Sequence, residues 1–163
     1  RAVLPGAFDL LLHAAKVPRR PGYLAPMGRV LAIDHGRKRT GLAVTDPLRI
    51  IASALDTVPT AEVIAYLKAY LAREEVDGFV VGLPMGLDGR PTDATAGVEA
   101  FLKQLRKAFP GKWVETVDER FTSSLAKQAV LQSGIGRKAR RDKAQLDRIS
   151  ATIMLQDWLT RKG

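Results

Sequence analysis

Four acidic residues in this chain have the type and placing to do metal chemistry. Asp34 ends a short apolar run, Val30-Leu31-Ala32-Ile33, that reads as a buried strand. A carboxylate at such an exit loses solvation and needs a partner. A divalent cation held by oxygen ligands is one such partner, and Mg²⁺ suits it. An arginine, or an Asx turn before Gly36, is another. Asp118 and Glu119 stand at the exit of a later apolar strand. Asp147 falls in the last helix, in line with Ala144, Ala151, Met154 and Trp158. An aspartate in line with an apolar stripe is not on a solvated face. The alternative is a pair with Arg148 or Arg141 near the helix start, where the dipole also favours a negative charge; Asp142 then suits the N-cap. Side chains reaching inward from such positions could close onto a pair of metal ions roughly 4 Å apart.

Cations surround these acids in the sequence. Arg37-Lys38-Arg39 follows Asp34 closely. Arg137-Lys138, Arg140-Arg141 and Lys143 precede Asp147, with Gly134-Ile135-Gly136 at the loop entry. Both groups read as phosphate contacts, the second as a clamp over bound strand; a merely solvated basic loop is the bland alternative. Phe121 and Trp113 offer aromatic faces that could equally be core.

Positioning these groups takes a sheet. Val30–Ile33 and Leu42–Val44 form a hairpin around the turn 35–41, and Ile50–Val58 follows as a third strand. Thr60 suits the N-cap of a helix over Ala61–Glu75. Phe79–Val81 is a buried strand ending in Gly82-Leu83-Pro84, followed by a Gly-rich loop over Met85–Pro91. Thr92–Phe109 is helix, Trp113–Val117 the fifth strand, Thr122–Leu131 a further helix and Ala144–Leu159 the last. Right-handed crossovers then predict sheet order 3-2-1-4-5, with strand 2 antiparallel to strand 1. Ligands gather beyond the carboxyl ends of parallel strands. Asp34 and Glu119 lie there, and Gly82 between them leaves an opening without a side chain.

The whole chain sets bounds. Its 163 residues favour one domain, and 46% hydrophobic content suffices for a core. Residues 1–26, rich in Ala, Leu and Pro, read as a poorly structured or vector-derived N-terminal extension, and 27–163 as the single domain. No stretch approaches the roughly 20 apolar residues of a membrane span. The absence of cysteine excludes disulfides and thiolate sites and suits a cytoplasmic setting. Only His13 and His35 are present, too few for a histidine-rich zinc site. A net charge of +9 points to a polyanionic partner, nucleic acid above all.

Four blocks together resemble the YqgF (RuvX) family. They are Asp34-His35-Gly36 with Thr40–Val44; Val81–Pro84 with Asp88-Gly89; Asp118–Ser123; and Leu146-Asp147 with Ser150-Ala151 and Ile153–Gln156. The resemblance covers about residues 27–161. It implies an RNase H-like α/β fold and a nuclease acting on the 5′ end of pre-16S rRNA in ribosome biogenesis; an older reading of the family is Holliday junction resolution in DNA recombination and repair. It implies Asp34, Glu119 and Asp147 as catalytic metal ligands, with Asp118 as rival to Glu119, because the wider superfamily often carries an acid at the strand-4 exit where Gly82 stands here. Arg37, Lys38, Arg39, Arg120, Arg137, Lys138, Arg140, Arg141 and Lys143 are the expected nucleic-acid contacts. The expected partners are structured RNA, a ribosomal subunit precursor, or branched DNA, with the chain as monomer or homodimer. Two readings from other classes compete. A non-catalytic RNA-binding assembly factor should lack one of the acids. An actin-like ATPase, whose phosphate loop the Asp34–Gly41 hairpin resembles, needs a second such domain.

Overall fold

Val30, Leu31, Ala32 and Ile33 are all fully buried, so the strand they form must be covered on both faces. That strand, β1 (Arg29–His35), is the centre of the fold. The computed structural model describes residues 27–119 and 143–162. Strand β1 pairs antiparallel with β2 (Arg39–Thr45), and β2 antiparallel with β3 (Ala52–Pro59). On its other side β1 pairs parallel with β4 (Val76–Leu83), and β4 parallel with β5 (Trp113–Asp118). The sheet order is β3-β2-β1-β4-β5, as the crossover rule predicts.

Side chains alternate across the sheet and divide the core in two. Leu31, Ile33, Leu42, Phe79 and Val81 face α1 (Val63–Leu71) and α2 (Asp93–Ala108). Val30, Ala32, Ala43, Val80 and Val117 face α3 (Lys143–Lys162), which contributes Ala151, Met154, Leu155 and Trp158. Small residues on the α3 side, Ala32, Gly41 and Ala43, let that helix approach the sheet closely.

Several boundaries differ from those read in the sequence. The hairpin turn shrinks to residues 36–38, because pairing runs on to His35↔Thr40; Arg39 becomes a strand residue. Ile50 and Ile51 belong to a loop rather than to β3. The Asp46 carboxylate accepts the backbone N–H groups of Leu48, Ile50 and Ile51 there, closing an Asx-type turn after Thr45. Thr60 caps no helix. It opens a 3₁₀ turn (Thr60–Glu62), and its hydroxyl donates to the Gly36 carbonyl at 2.7 Å, tying the hairpin turn down. Helix α1 stops at Leu71, short of Glu75, because Val76 is needed for pairing with Arg29. Strand β4 is correspondingly longer than the apolar core Phe79–Val81. Thr92, by contrast, caps α2 in a capping box with Thr95. The expected helix Thr122–Leu131, the basic residues Arg120, Arg137, Lys138, Arg140 and Arg141, and Asp142 lie outside the described residues.

Candidate active site

The period-2 alternation selects which acids meet. Asp34 has the parity of Val30 and Ala32, so it belongs to the α3 face of the sheet. Glu119 has the parity of Val117 and belongs to the same face, whereas Asp118 has the opposite parity. Asp147 lies one turn before Ala151 on the helix that covers this face. The sheet and α3 thus bring Asp34, Glu119 and Asp147 to one place, at the carboxyl ends of β1 and β4.

Two glycines make the approach possible. Gly41 sits opposite Asp34 across the β1–β2 ladder. A Cβ placed on Gly41 would lie 2.1 Å from the Asp147 carbonyl oxygen. The first turns of α3 therefore rest directly on β2 backbone. Gly82 ends the buried part of β4, next after the pair Ile33↔Val81. A Cβ there would lie 2.2 Å from Glu119 Oε1, so the Glu119 carboxylate occupies the space that any other residue would fill. The Glu119 N–H donates to the Leu83 carbonyl at 3.2 Å and fixes where the strand exit turns.

Electrostatics mark the same group. Burial pushes the Asp34 carboxyl up; a hydrogen bond from Ser150 opposes this, and the Asp147 charge adds to it. Burial also raises Glu119, to about 7, with help from the Asp34 and then the Asp118 charges. Asp147 is held differently: Arg39 Nε donates to its Oδ2 at 2.9 Å, with both side chains partly exposed. Among the described residues no three acids or histidines are gathered into a ready-made metal cage.

The donor chemistry nevertheless fits a hard divalent cation. The carboxylates offer oxygen only, and two of them carry raised pKa values that a nearby cation would reverse.

Of the expected cations, Arg37 and Lys38 are exposed on the hairpin turn and Lys143 is exposed at the start of α3. Arg39 is not a free surface cation, since it pairs with Asp147. His35, on the other sheet face, stacks on Phe101 with ring centroids 4.3 Å apart, and burial lowers its pKa. Arg39 is expected here as a phosphate contact and Ser150 falls in a block that carries the family resemblance, but the pairing of Arg39 with Asp147 and the hydrogen bond from Ser150 to Asp34 are not readable in the sequence.

A sequence profile of the RuvX family, described as "Holliday junction resolvase", matches residues 28–161. A Flavobacterium psychrophilum protein named "Putative pre-16S rRNA nuclease" is 48% identical over 136 residues, covering 83% of this chain and 99% of that protein. A Porphyromonas gingivalis protein of the same name is 50% identical over 133 residues, covering 82% of this chain and 96% of that one. Among solved structures, the T. thermophilus RuvC in complex with a Holliday junction substrate aligns with TM-score 0.52 at 20% identity, over 83% of this chain and 96% of that chain. That likeness carries the fold, and the sheet order agrees with the RNase H-like architecture. By the extent of the profile match and the identity to these relatives, the chain belongs to the RuvX family.

Proposed function

We propose that the chain is a metal-dependent nuclease that hydrolyses phosphodiester bonds, with the 5′ end of pre-16S rRNA as its substrate. The observation that carries this reading is the convergence of Asp34, Glu119 and Asp147 on one sheet face over Gly41 and Gly82. The names of the relatives support the substrate class. In this reading Asp34, Glu119 and Asp147 would hold Mg²⁺ or Mn²⁺. Glu119 is preferred to Asp118 because its side chain lies over Gly82, on the face of Asp34. A cation held there would supply an activated water, stabilisation of the charge that develops on the phosphate and help for the leaving oxygen.

The chain's own groups do the rest. Glu119, with a pKa near 7, releases a proton as the site accepts a cation, so cation binding strengthens as pH rises through neutrality. Ser150 orients Asp34 through its hydrogen bond. Arg37, Lys38 and Lys143, exposed around the opening, attract and align the polyanion. Arg120, Arg137, Lys138, Arg140 and Arg141 are further phosphate contacts in this reading. No helix among the described residues is long and apolar enough to cross a membrane; the proposed setting is the cytoplasm, with residues 27–163 as the working domain.

The description attached to the family profile favours a second reading, resolution of branched DNA. Purified protein with Mn²⁺, offered a precursor 16S fragment, an unrelated RNA and a four-way DNA junction, separates the two. Preferential cleavage of the precursor is the expected result. Preferential cleavage of the junction would favour the second reading. No cleavage of any, with tight RNA binding, would favour a non-catalytic assembly factor.

A further inference from the structure

Arg39 stands where a cation is expected. It lies two residues before Gly41 on β2, so both face α3, and Gly41 is the residue on which the Asp147 backbone rests. The guanidinium donates through Nε to Asp147 Oδ2 at 2.9 Å. The pair is partly shielded, with 41% of the Arg39 side chain and 29% of the Asp147 side chain exposed. An arginine this close already neutralises part of the Asp147 charge and repels a cation arriving at the same carboxylate. Arg39 also has the geometry to leave: its side chain is long, and the guanidinium is built to grip a phosphate through two parallel hydrogen bonds.

We infer that Arg39 is an exchangeable occupant of the metal site. It neutralises Asp147 while metal is absent, yields that carboxylate to the arriving cation, and is thereby released towards the phosphate of the substrate. This rests on the reading of Asp147 as a metal ligand. Three consequences follow from the charges alone. In the metal-free protein Arg39 offsets part of the repulsion among the clustered acids. During loading it competes with the metal and weakens apparent affinity. In the loaded protein it adds a positive group beside the cleavage site. A permanent structural pair would share these charge effects but would keep the guanidinium on Asp147 in the loaded protein, out of reach of the phosphate.

The test uses the full chain and Mn²⁺ as the probe, with affinity read from water-proton relaxation and folding from melting in EDTA and in Mn²⁺. Arg39→Gln keeps a donor but loses the charge. It should bind Mn²⁺ about fivefold more tightly than wild type, the size of a partly exposed pair converted to affinity. It should also melt lower than wild type in EDTA, with the gap narrowing in Mn²⁺. Arg39→Lys keeps the charge and so the competition; its Mn²⁺ affinity should stay nearer to wild type, which also guards against a glutamine variant that folds poorly. Unchanged or weaker Mn²⁺ binding by Arg39→Gln, with wild type binding normally, would overturn the exchange and leave the nuclease reading standing. Failure of wild type and both variants alike to bind Mn²⁺ would overturn the metal site itself, and the exchange with it.

Discussion

Glu119 combines burial, an adjacent carboxylate and a space left open by glycine, and its titration is where these meet. Its pKa rises from 4.5 to about 7 on folding. The native state therefore binds more protons than the unfolded chain in that window. Its stability contribution is fully present below about 4.5 and is lost as pH rises towards 7. The raised pKa of Asp34 acts with the same sign. In EDTA, wild type should melt lower at pH 8 than at pH 5, and Glu119→Gln should flatten that difference; an equal slope in the two proteins would mean Glu119 is not the buried acid described. Asp147 behaves differently because of Arg39. Relief of repulsion among clustered acids alone predicts that Asp147→Asn stabilises the metal-free protein. With the Arg39 pair in place, the change should instead cost about 0–1 kcal/mol in EDTA while removing cleavage. Melting curves with EDTA, beside cleavage rates, check both halves. The acids themselves were legible in the sequence, Asp34 from its strand exit and Asp147 from its apolar stripe. The partner of Asp147 was not, because Arg39 and Asp147 are distant in the chain and meet only when α3 packs on β2.

At the scale of elements, the two glycines separate what supports the fold from what shapes the site. At Gly41 an added Cβ meets backbone, the Asp147 carbonyl, so the whole helix must shift. Gly41→Ala should cost about 1–3 kcal/mol of stability and most of the activity. At Gly82 the added Cβ meets the far end of the flexible Glu119 side chain. Gly82→Ala should leave melting almost unchanged yet lower cleavage about 100-fold, since a displaced carboxylate is enough to do that. Equal losses of stability in the two variants would show that Gly82 supports packing rather than the site. Gly82 was readable beforehand as an opening between two strand exits. Gly41 was read only as part of a turn, because its role depends on a helix from the far end of the chain. The strand order was legible because short turns and right-handed crossovers leave few alternatives. The boundaries were less so: Thr60 looks like a cap in sequence, but its hydroxyl is taken by the Gly36 carbonyl. Ile50 and Ile51 look like strand, but Asp46 holds their N–H groups in a loop.

At the scale of the whole molecule, the proposed function assigns approach of the polyanion to the +9 charge and chemistry to the carboxylates. Nucleic-acid binding should weaken steeply with salt, each neutralised phosphate adding about 0.9 to the log–log slope for a duplex or 0.7 for a single strand. Arg140→Ala with Arg141→Ala should flatten that slope; an unaltered slope would take those residues out of the interface. Removing residues 1–26 should change neither melting nor cleavage, since the five-stranded sheet and its covering helices lie within residues 27–163. Under the proposed function, the acids on the α3 face cleave phosphodiester bonds with a bound cation. The most direct measurement is the single-turnover cleavage rate of a labelled precursor 16S fragment with Mn²⁺ and with EDTA, for wild type and Asp34→Asn. Cleavage that needs Mn²⁺ and falls by about 10³-fold or more in a folded Asp34→Asn protein is the predicted result. Cleavage that persists in EDTA, or at a similar rate in Asp34→Asn, would contradict it.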